Sequence, residues 1–176
     1  MQATDSSPIS PLERLVARAE QLMQRIEAVL PQPLQAPADW GAAIAWRYRK
    51  RANGCGVLEP VRHVGAMQLS DLQNIDAQKE KIARNTEQFV QGRTANNVLL
   101  TGARGTGKSS LIRACLHAYA DQGLRLIEVD KADLTDLPDI VEVVAARPES
   151  FIIYCDDLSF EEGEPGYKAM KSILDG

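Results

Sequence analysis

Cysteines, aromatic residues and long apolar runs are all scarce in this 176-residue chain. Its three cysteines, Cys55, Cys115 and Cys155, are far apart and in no C-x-x-C spacing, which argues against both a disulfide framework and a zinc site. No stretch approaches the roughly 18 apolar residues of a membrane-spanning helix. The N-terminus lacks the basic and apolar regions of a secretory signal. We therefore expect a cytoplasmic protein with reduced thiols.

An excess of positive charge is also absent. The net charge is -4, so the chain as a whole has no attraction for nucleic acid. A local basic cluster, "RYRKR" at Arg47–Arg51, is most simply a solvated face. The alternative is that this cluster and Arg62 contact the phosphates of a nucleic acid. With 44% apolar and 25% charged residues, the composition is that of a globular protein.

The N-terminal part predicts an amphipathic helix followed by a linker. Apolar residues recur every three or four positions from Pro11 to Leu30, with Ser10 as the cap and Pro11 in the first turn. The proline-rich "PQPLQAPADWG" ends the helix and indicates a boundary near Pro37. We thus predict a helix and linker over residues 1–37 and a basic connecting segment over 38–67. The helix either packs on the chain's own core or docks a neighbouring subunit or partner.

From residue 68 onward helices and strands alternate. A helix over 76–91, capped by Asp76 and stopped by Gly92, is followed by apolar segments of strand length and by further helical patterns. The predicted strands are 97–101, 124–129 and 151–155, and the later helices begin near Gly107 and near Leu137, the second ending at Ala146. This alternation predicts an α/β fold with a parallel sheet covered by helices on both faces.

The glycine-rich stretch between the first of these strands and its helix predicts a phosphate-binding loop. It matches G-x-x-x-x-G-K-[ST] in the strand-to-helix context that this motif requires. Glycines let backbone amides point at phosphate oxygens, and the N-terminus of the helix adds positive charge. Lys108 reaches the terminal phosphates and Ser109 ligates magnesium. The predicted nucleotide-binding residues are Gly102, Gly105, Thr106, Gly107, Lys108, Ser109 and Ser110.

An acidic pair after the last predicted strand supplies the other half of the site. In "FIIYCDD", Asp156 is placed to hold magnesium together with Ser109, through the water shell of the ion. Asp157 follows, where it would orient or deprotonate the attacking water. We therefore predict Asp157 and Lys108 as catalytic residues and Ser109 and Asp156 as magnesium ligands.

The loop, the acidic pair and the upstream "LSDLQNIDAQKE" together resemble the AAA+ branch of the P-loop ATPases. Within it, "ANNVLLTGARGTGKSSLIRA", "DQGLRLIEVDKADLTDLPDI" and "CDDLSFEEGEPGYKAMKSIL" are similar to an uncharacterised bacterial family, domain of unknown function 815. The resemblance covers about residues 68–176 and implies an ATP-binding core with Walker A and Walker B motifs. It also implies an adenine pocket near Asn74 and Ile75, although Asn74 replaces the usual glycine. Asp157 replaces the usual glutamate and is one methylene shorter, so hydrolysis is expected to be slow.

The same resemblance implies parts that this sequence does not contain. AAA+ proteins carry a sensor strand, an arginine finger and a helical lid after the acidic strand, so we expect a C-terminally truncated core that is marginally stable or prone to aggregate. The arginine comes from a neighbouring subunit, which implies a homo-oligomer of the longer protein.

The leading hypothesis from the sequence is a magnesium-dependent ATP-binding protein. It is an AAA+ ATPase whose hydrolysis is weak or depends on assembly, and whose nucleotide state controls contacts with an unknown protein partner. Two alternatives stay open: a P-loop kinase acting on a small molecule, and a nucleic-acid-associated ATP switch.

Overall fold

A computed structural model describes residues 10–27, 30, 34–37, 39–160 and 164–175. The chain divides into two compact units, residues 1–32 and 33–176. The regular elements are α1 (Pro11–Glu27), β1 (Ala45–Lys50), β2 (Gly56–Pro60), α2 (Asp76–Val90), α3 (Lys108–Tyr119), β3 (Leu124–Glu128), α4 (Leu137–Ala145), β4 (Ser150–Tyr154) and α5 (Pro165–Leu174). None of the described helices is both long and apolar enough to cross a membrane.

The first unit is built around α1. The Ser10 amide donates to Glu13 Oε2 over 2.6 Å and the Glu13 amide donates to Ser10 Oγ over 3.1 Å, so the two residues form a reciprocal capping box. This confirms Ser10 as the cap. The helix is described as far as Glu27, and residues 28 and 29, which precede the predicted end at Leu30, lie outside the described part. The Leu30 amide donates to the Ile26 carbonyl over 3.0 Å. No residue of α1 is buried.

The second unit contains a mixed sheet in the order β2-β1-β3-β4. Strands β1, β3 and β4 are parallel, and β2 is antiparallel to β1. The prediction of an α/β fold with a mostly parallel sheet and flanking helices is therefore confirmed. The β1–β2 hairpin was not predicted, and it lies within residues 38–67, where the sequence indicated only a basic connecting segment.

Both faces of the sheet are covered. On one face Trp46, Tyr48 and Ile127 pack with Ile140 of α4, and on the other Leu124 and Leu126 pack with α3. The side chains alternate between faces because successive residues of a strand point to opposite sides. β4 is less buried than the strands at the centre of the sheet, since all five of its residues are only half-buried.

The strand predicted over residues 97–101 is wrong. These residues form no strand, and Leu99 is 74% exposed. An apolar run becomes a strand only where a neighbouring strand pairs with its backbone. In the described residues, β1 pairs with β3, and the segment before the glycine-rich loop pairs with no strand, although Leu100 packs against the cluster that includes Ala45 and Leu126.

Other boundaries agree with the sequence more closely. β3, α4 and β4 begin and end within one residue of the predicted limits. Gly92 has a φ of 67°, as expected of a left-handed helix stop. Asp76 as a cap is wrong: it is the first helical residue, Ile75 occupies the cap, and the Asp76 carboxylate pairs with Lys79 Nζ at 2.8 Å. The three cysteines form no disulfide bond; Cys55 and Cys115 are buried and Cys155 is half-buried.

Candidate functional site

The glycine-rich loop has the backbone conformation that its sequence predicts. Gly102, Gly105 and Gly107 have φ values of 142°, 81° and 85°, a region that other residues rarely adopt. A Cβ at Gly102 would also come within 3.3 Å of Thr106 Oγ1. Gly107 is the N-cap of α3, so the loop leads directly into the positive end of that helix.

The side chains of Thr106 and Lys108 donate hydrogen bonds to carbonyl oxygens of the same loop. Lys108 Nζ donates to the carbonyl oxygens of Gly102 and Ala103, both at 2.9 Å, and Thr106 Oγ1 donates to the Ala103 carbonyl at 2.8 Å. The Lys108 ammonium group is therefore held over the loop, beside the N-terminus of α3. Ser110 is partly buried on the first turn of α3.

The end of β4 meets the first turn of α3. Ser109 Oγ donates to Asp156 Oδ2 over 3.0 Å, and the Tyr154 hydroxyl donates to Ser109 Oγ over 2.9 Å. The two predicted magnesium ligands, 47 residues apart in sequence, are thus in direct contact. Tyr154 was not predicted as part of the site. The signal was present, because residues two apart in an extended segment point to the same side, and Tyr154 precedes Asp156 by two.

The electrostatics of this contact favour a charged carboxylate. Burial alone would raise the pKa of Asp156, but hydrogen bonding with the hydroxyls of Tyr154 and Ser109, together with the Asp157 amide and the charge of Lys108, outweighs it, and the pKa is lowered. Burial raises the pKa of Tyr154, so its hydroxyl stays protonated and able to donate. Asp156 is accordingly an anion at neutral pH, the form in which a carboxyl group ligates a cation.

Asp157 differs from Asp156 in position. It has a φ of 51°, it is exposed, and its amide donates to Asp156 Oδ1 over 3.0 Å. The chain therefore turns away from the strand direction at Asp157. Aspartate tolerates a positive φ better than most residues. Its assignment as the residue that activates water stays a prediction.

The oxygen atoms of Ser109 and Asp156 fit a magnesium ion. Adjacent ligands of an octahedral Mg²⁺, each about 2.1 Å from the metal, lie about 3 Å apart, and the two side-chain oxygens are separated by 3.0 Å. No group of three or more His, Cys, Asp or Glu side chains within the described ranges is placed to hold a metal. A cation at Ser109 and Asp156 would therefore complete its shell with water or phosphate oxygens.

Asn74 has a backbone conformation that glycine adopts more readily than other residues. Its φ is 62°, and asparagine is among the few residues that adopt this region readily. The next residue, Ile75, packs against the cluster formed by Leu72, Ile82 and Leu111. Asn74 thus adopts a left-handed conformation without being glycine, while the adenine pocket itself stays a prediction.

The basic cluster of β1 is joined to acidic residues on neighbouring elements. Arg47 pairs with Glu128 at the end of β3, and Lys50 Nζ lies 2.9 Å from Asp136 Oδ2. Glu128 is also 3.7 Å from Arg113 of α3, one turn beyond Ser109. Hydrogen bonding with Glu128 raises the pKa of Arg47 further. Much of the positive charge on this strand is therefore matched within the chain.

Comparison with known families places most of the chain in one of them. A family model described as "Protein of unknown function (DUF815)" matches residues 41–176. The matched range begins after α1 and includes the β1–β2 hairpin, the glycine-rich loop and the Tyr154–Asp156 segment. No curated protein and no solved structure matches the chain.

Proposed function

The chain belongs to the DUF815 family of unknown function, and from the site just described we propose that it is a magnesium-dependent ATP-binding protein of the AAA+ type. The observation that carries the proposal is the contact between Ser109 and Asp156 at the mouth of a loop with three left-handed glycines. The glycine-rich loop suits phosphate, and the Ser109–Asp156 contact suits the cation that accompanies phosphate.

Phosphate binding would use the loop backbone, the N-terminus of α3 and Lys108. Backbone amides of a left-handed glycine loop converge on an anion, and the helix end adds partial positive charge. Lys108 Nζ is held by two carbonyl oxygens. Phosphate oxygens would replace these carbonyls as acceptors, and a charged acceptor makes the stronger hydrogen bond.

Magnesium would be held by Ser109 and Asp156. The Ser109 hydroxyl gives its hydrogen to Asp156 and accepts one from Tyr154. An sp³ oxygen has two lone pairs, so the second remains available for the cation. Tyr154 is therefore a positioning residue, which fixes the orientation of the Ser109 oxygen.

Hydrolysis, in this proposal, is slow or depends on assembly. Asp157 is the candidate for orienting the attacking water, and its exposure leaves it poorly fixed in this chain alone. The AAA+ resemblance adds an arginine from a neighbouring subunit, and with it a homo-oligomer whose nucleotide state controls partner contacts. The ion pairs of Arg47 and Lys50 give no support to the alternative of a nucleic-acid switch.

Calorimetric titration of ATP with magnesium into the whole chain tests binding. We expect saturable binding that is lost in Lys108→Ala and retained in Lys168→Ala, a matched removal of an exposed lysine on α5. Equal binding by both variants, or no binding by the folded wild-type chain, would refute the proposal. The same titration with GTP shows whether the base is recognised.

Turnover needs a separate experiment. Asp157→Asn should leave the ATP affinity unchanged and lower the hydrolysis rate about tenfold or more, because it removes the candidate base. The measurement is phosphate release at saturating ATP. An unchanged, measurable rate in Asp157→Asn would show that this residue is not catalytic.

A further inference from the structure

The helix α1 exposes a long apolar face. Its large apolar residues are about half exposed or more: Leu12 69%, Leu15 68%, Val16 48%, Leu22 52%, Met23 55% and Ile26 55%. An isolated helix of 17 residues is only marginally stable in water. Contiguous exposed apolar surface of this kind marks an interaction site. The face therefore needs a partner.

The apolar residues of α1 are arranged in columns along the helix. Residues seven apart lie nearly above one another, because seven residues make almost two turns. The central column consists of Leu12, Ala19 and Ile26, with Leu15 and Leu22 on one side and Val16 and Met23 on the other. Together these columns form one apolar face about 100° wide, centred on the column of Leu12, Ala19 and Ile26.

Charges of opposite sign border the two edges of this face. Beyond Val16 and Met23 lies a column of acidic residues, and beyond Leu15 and Leu22 lies a column of basic residues. The acidic column is Glu13, Glu20 and Glu27, and the basic column is Arg18 and Arg25. The side opposite the apolar face carries Arg14, Ala17, Gln21 and Gln24.

This arrangement is complementary to itself in one orientation. When two identical helices pack in parallel, the left edge of one faces the right edge of the other, so arginine faces glutamate along both edges. In an antiparallel pair, glutamate would face glutamate and arginine would face arginine. We propose that α1 pairs in parallel with α1 of a second copy of this chain.

A second copy is the occupant that this pattern specifies. Each helix supplies both the acidic and the basic edge, so two copies satisfy all the edges without any other protein. The small side chain of Ala19 in the central column lets the two backbones approach closely. The proposal does not depend on nucleotide, since α1 lies outside the loop and the Ser109–Asp156 contact.

Sedimentation equilibrium of the whole chain over a range of concentrations tests the pairing. We expect a reversible dimer that becomes monomeric in Met23→Glu. The double variant Arg18→Glu, Arg25→Glu should weaken the dimer by roughly a hundredfold, because it sets glutamate against glutamate. The control Arg14→Glu, Gln21→Glu, Gln24→Glu makes the same change in net charge on the opposite side and should leave the dimer intact.

A charge exchange makes the orientation falsifiable. Adding Glu20→Arg and Glu27→Arg to the double variant exchanges the charges at four of the five edge residues, leaving Glu13 in its capping box, and should restore the dimer, since arginine again faces glutamate. A monomeric wild-type chain up to its solubility limit would overturn the proposal, and so would a dimer that survives Met23→Glu. Equal dissociation constants for the double variant and its control would overturn the parallel orientation. Lys108→Ala should dimerise like the wild type, so this result is separable from nucleotide binding.

Discussion

Two tyrosines of the sheet make similar hydrogen bonds in different surroundings. Tyr48 on β1 is buried and donates to Asp136 Oδ2 over 2.8 Å, while Tyr154 on β4 is half-buried and donates to Ser109 Oγ over 2.9 Å. Asp136 is held a second time by Lys50. Ser109 lies on the first turn of α3, beside the glycine-rich loop, and donates its own hydrogen to Asp156. The first bond lies in the core, and the second lies in the site where we propose that a ligand binds.

The largest difference between the two tyrosine sites should appear when the acceptor of each hydrogen bond, Asp136 or Ser109, is replaced. Asp136→Ala should lower the free energy of unfolding by about 2–3 kcal/mol, because it leaves the buried Tyr48 hydroxyl without its acceptor. Ser109→Ala should cost less than about 1 kcal/mol of stability, since its surroundings are open to water, and should abolish the magnesium-dependent part of ATP binding. Urea denaturation measures the first effect and calorimetry the second. Asp139→Ala, an exposed acidic residue on α4, is the control for charge. Equal stability losses at residues 136 and 109 would contradict the comparison.

Removing the hydroxyl groups themselves sharpens the same contrast. Tyr48→Phe should destabilise the chain by about 1 kcal/mol and leave ATP affinity unchanged. Tyr154→Phe should change stability by less than about 0.5 kcal/mol, and it should weaken ATP binding several-fold with magnesium present but not without it. The readouts are denaturation midpoints and paired titrations with and without the cation. If Tyr154→Phe weakened both titrations alike, its role would be merely structural.

The smallest effect is the pH dependence of the Tyr48 side of the sheet. Burial acts to raise the pKa of Asp136, but hydrogen bonds from Lys50 and Tyr48 outweigh it and the pKa is lowered. A lowered folded pKa contributes stability above the unfolded value of about 3.9, and that stability is lost as pH falls through the folded pKa. Asp133, whose pKa burial raises, acts in the opposite direction. The quantity to measure is therefore the difference between wild type and Asp136→Asn, which should shrink as pH falls below about 4. A difference that does not change with pH would show that protonation of Asp136 is not linked to the stability of the fold.

The parts of this molecule that the sequence predicted well are those set by local chemistry. The loop glycines need particular backbone angles, and Gly102, Gly105 and Gly107 have them. The acid after β4 lies next to Ser109 because the end of a parallel strand faces the start of a helix. The capping box of Ser10 and Glu13 is likewise a contact between residues three apart.

The errors concern pairing between distant segments. Residues 97–101 have the composition of a strand, but whether a strand forms depends on a neighbour elsewhere in the chain. The β1 segment shows the converse. Its alternation of Trp46 and Tyr48 with Arg47 and Arg49 is a half-buried strand pattern, yet the basic residues dominated the interpretation as a solvated face. The strand accommodates both its aromatic and its basic side chains because of their partners on β3 and near α4, which the sequence of β1 alone does not reveal.

Cys155 lies between Tyr154 and Asp156, and its surroundings decide how it meets oxidants. Burial raises the pKa of its thiol to about 11. At neutral pH about one such thiol in ten thousand is ionised, and the thiolate is the form that reacts with peroxides and disulfides. The end of β4, where we propose that a cation binds, therefore carries a thiol that oxidises slowly, so we expect no bulky sulfinate or mixed disulfide beside the Asp156 carboxylate.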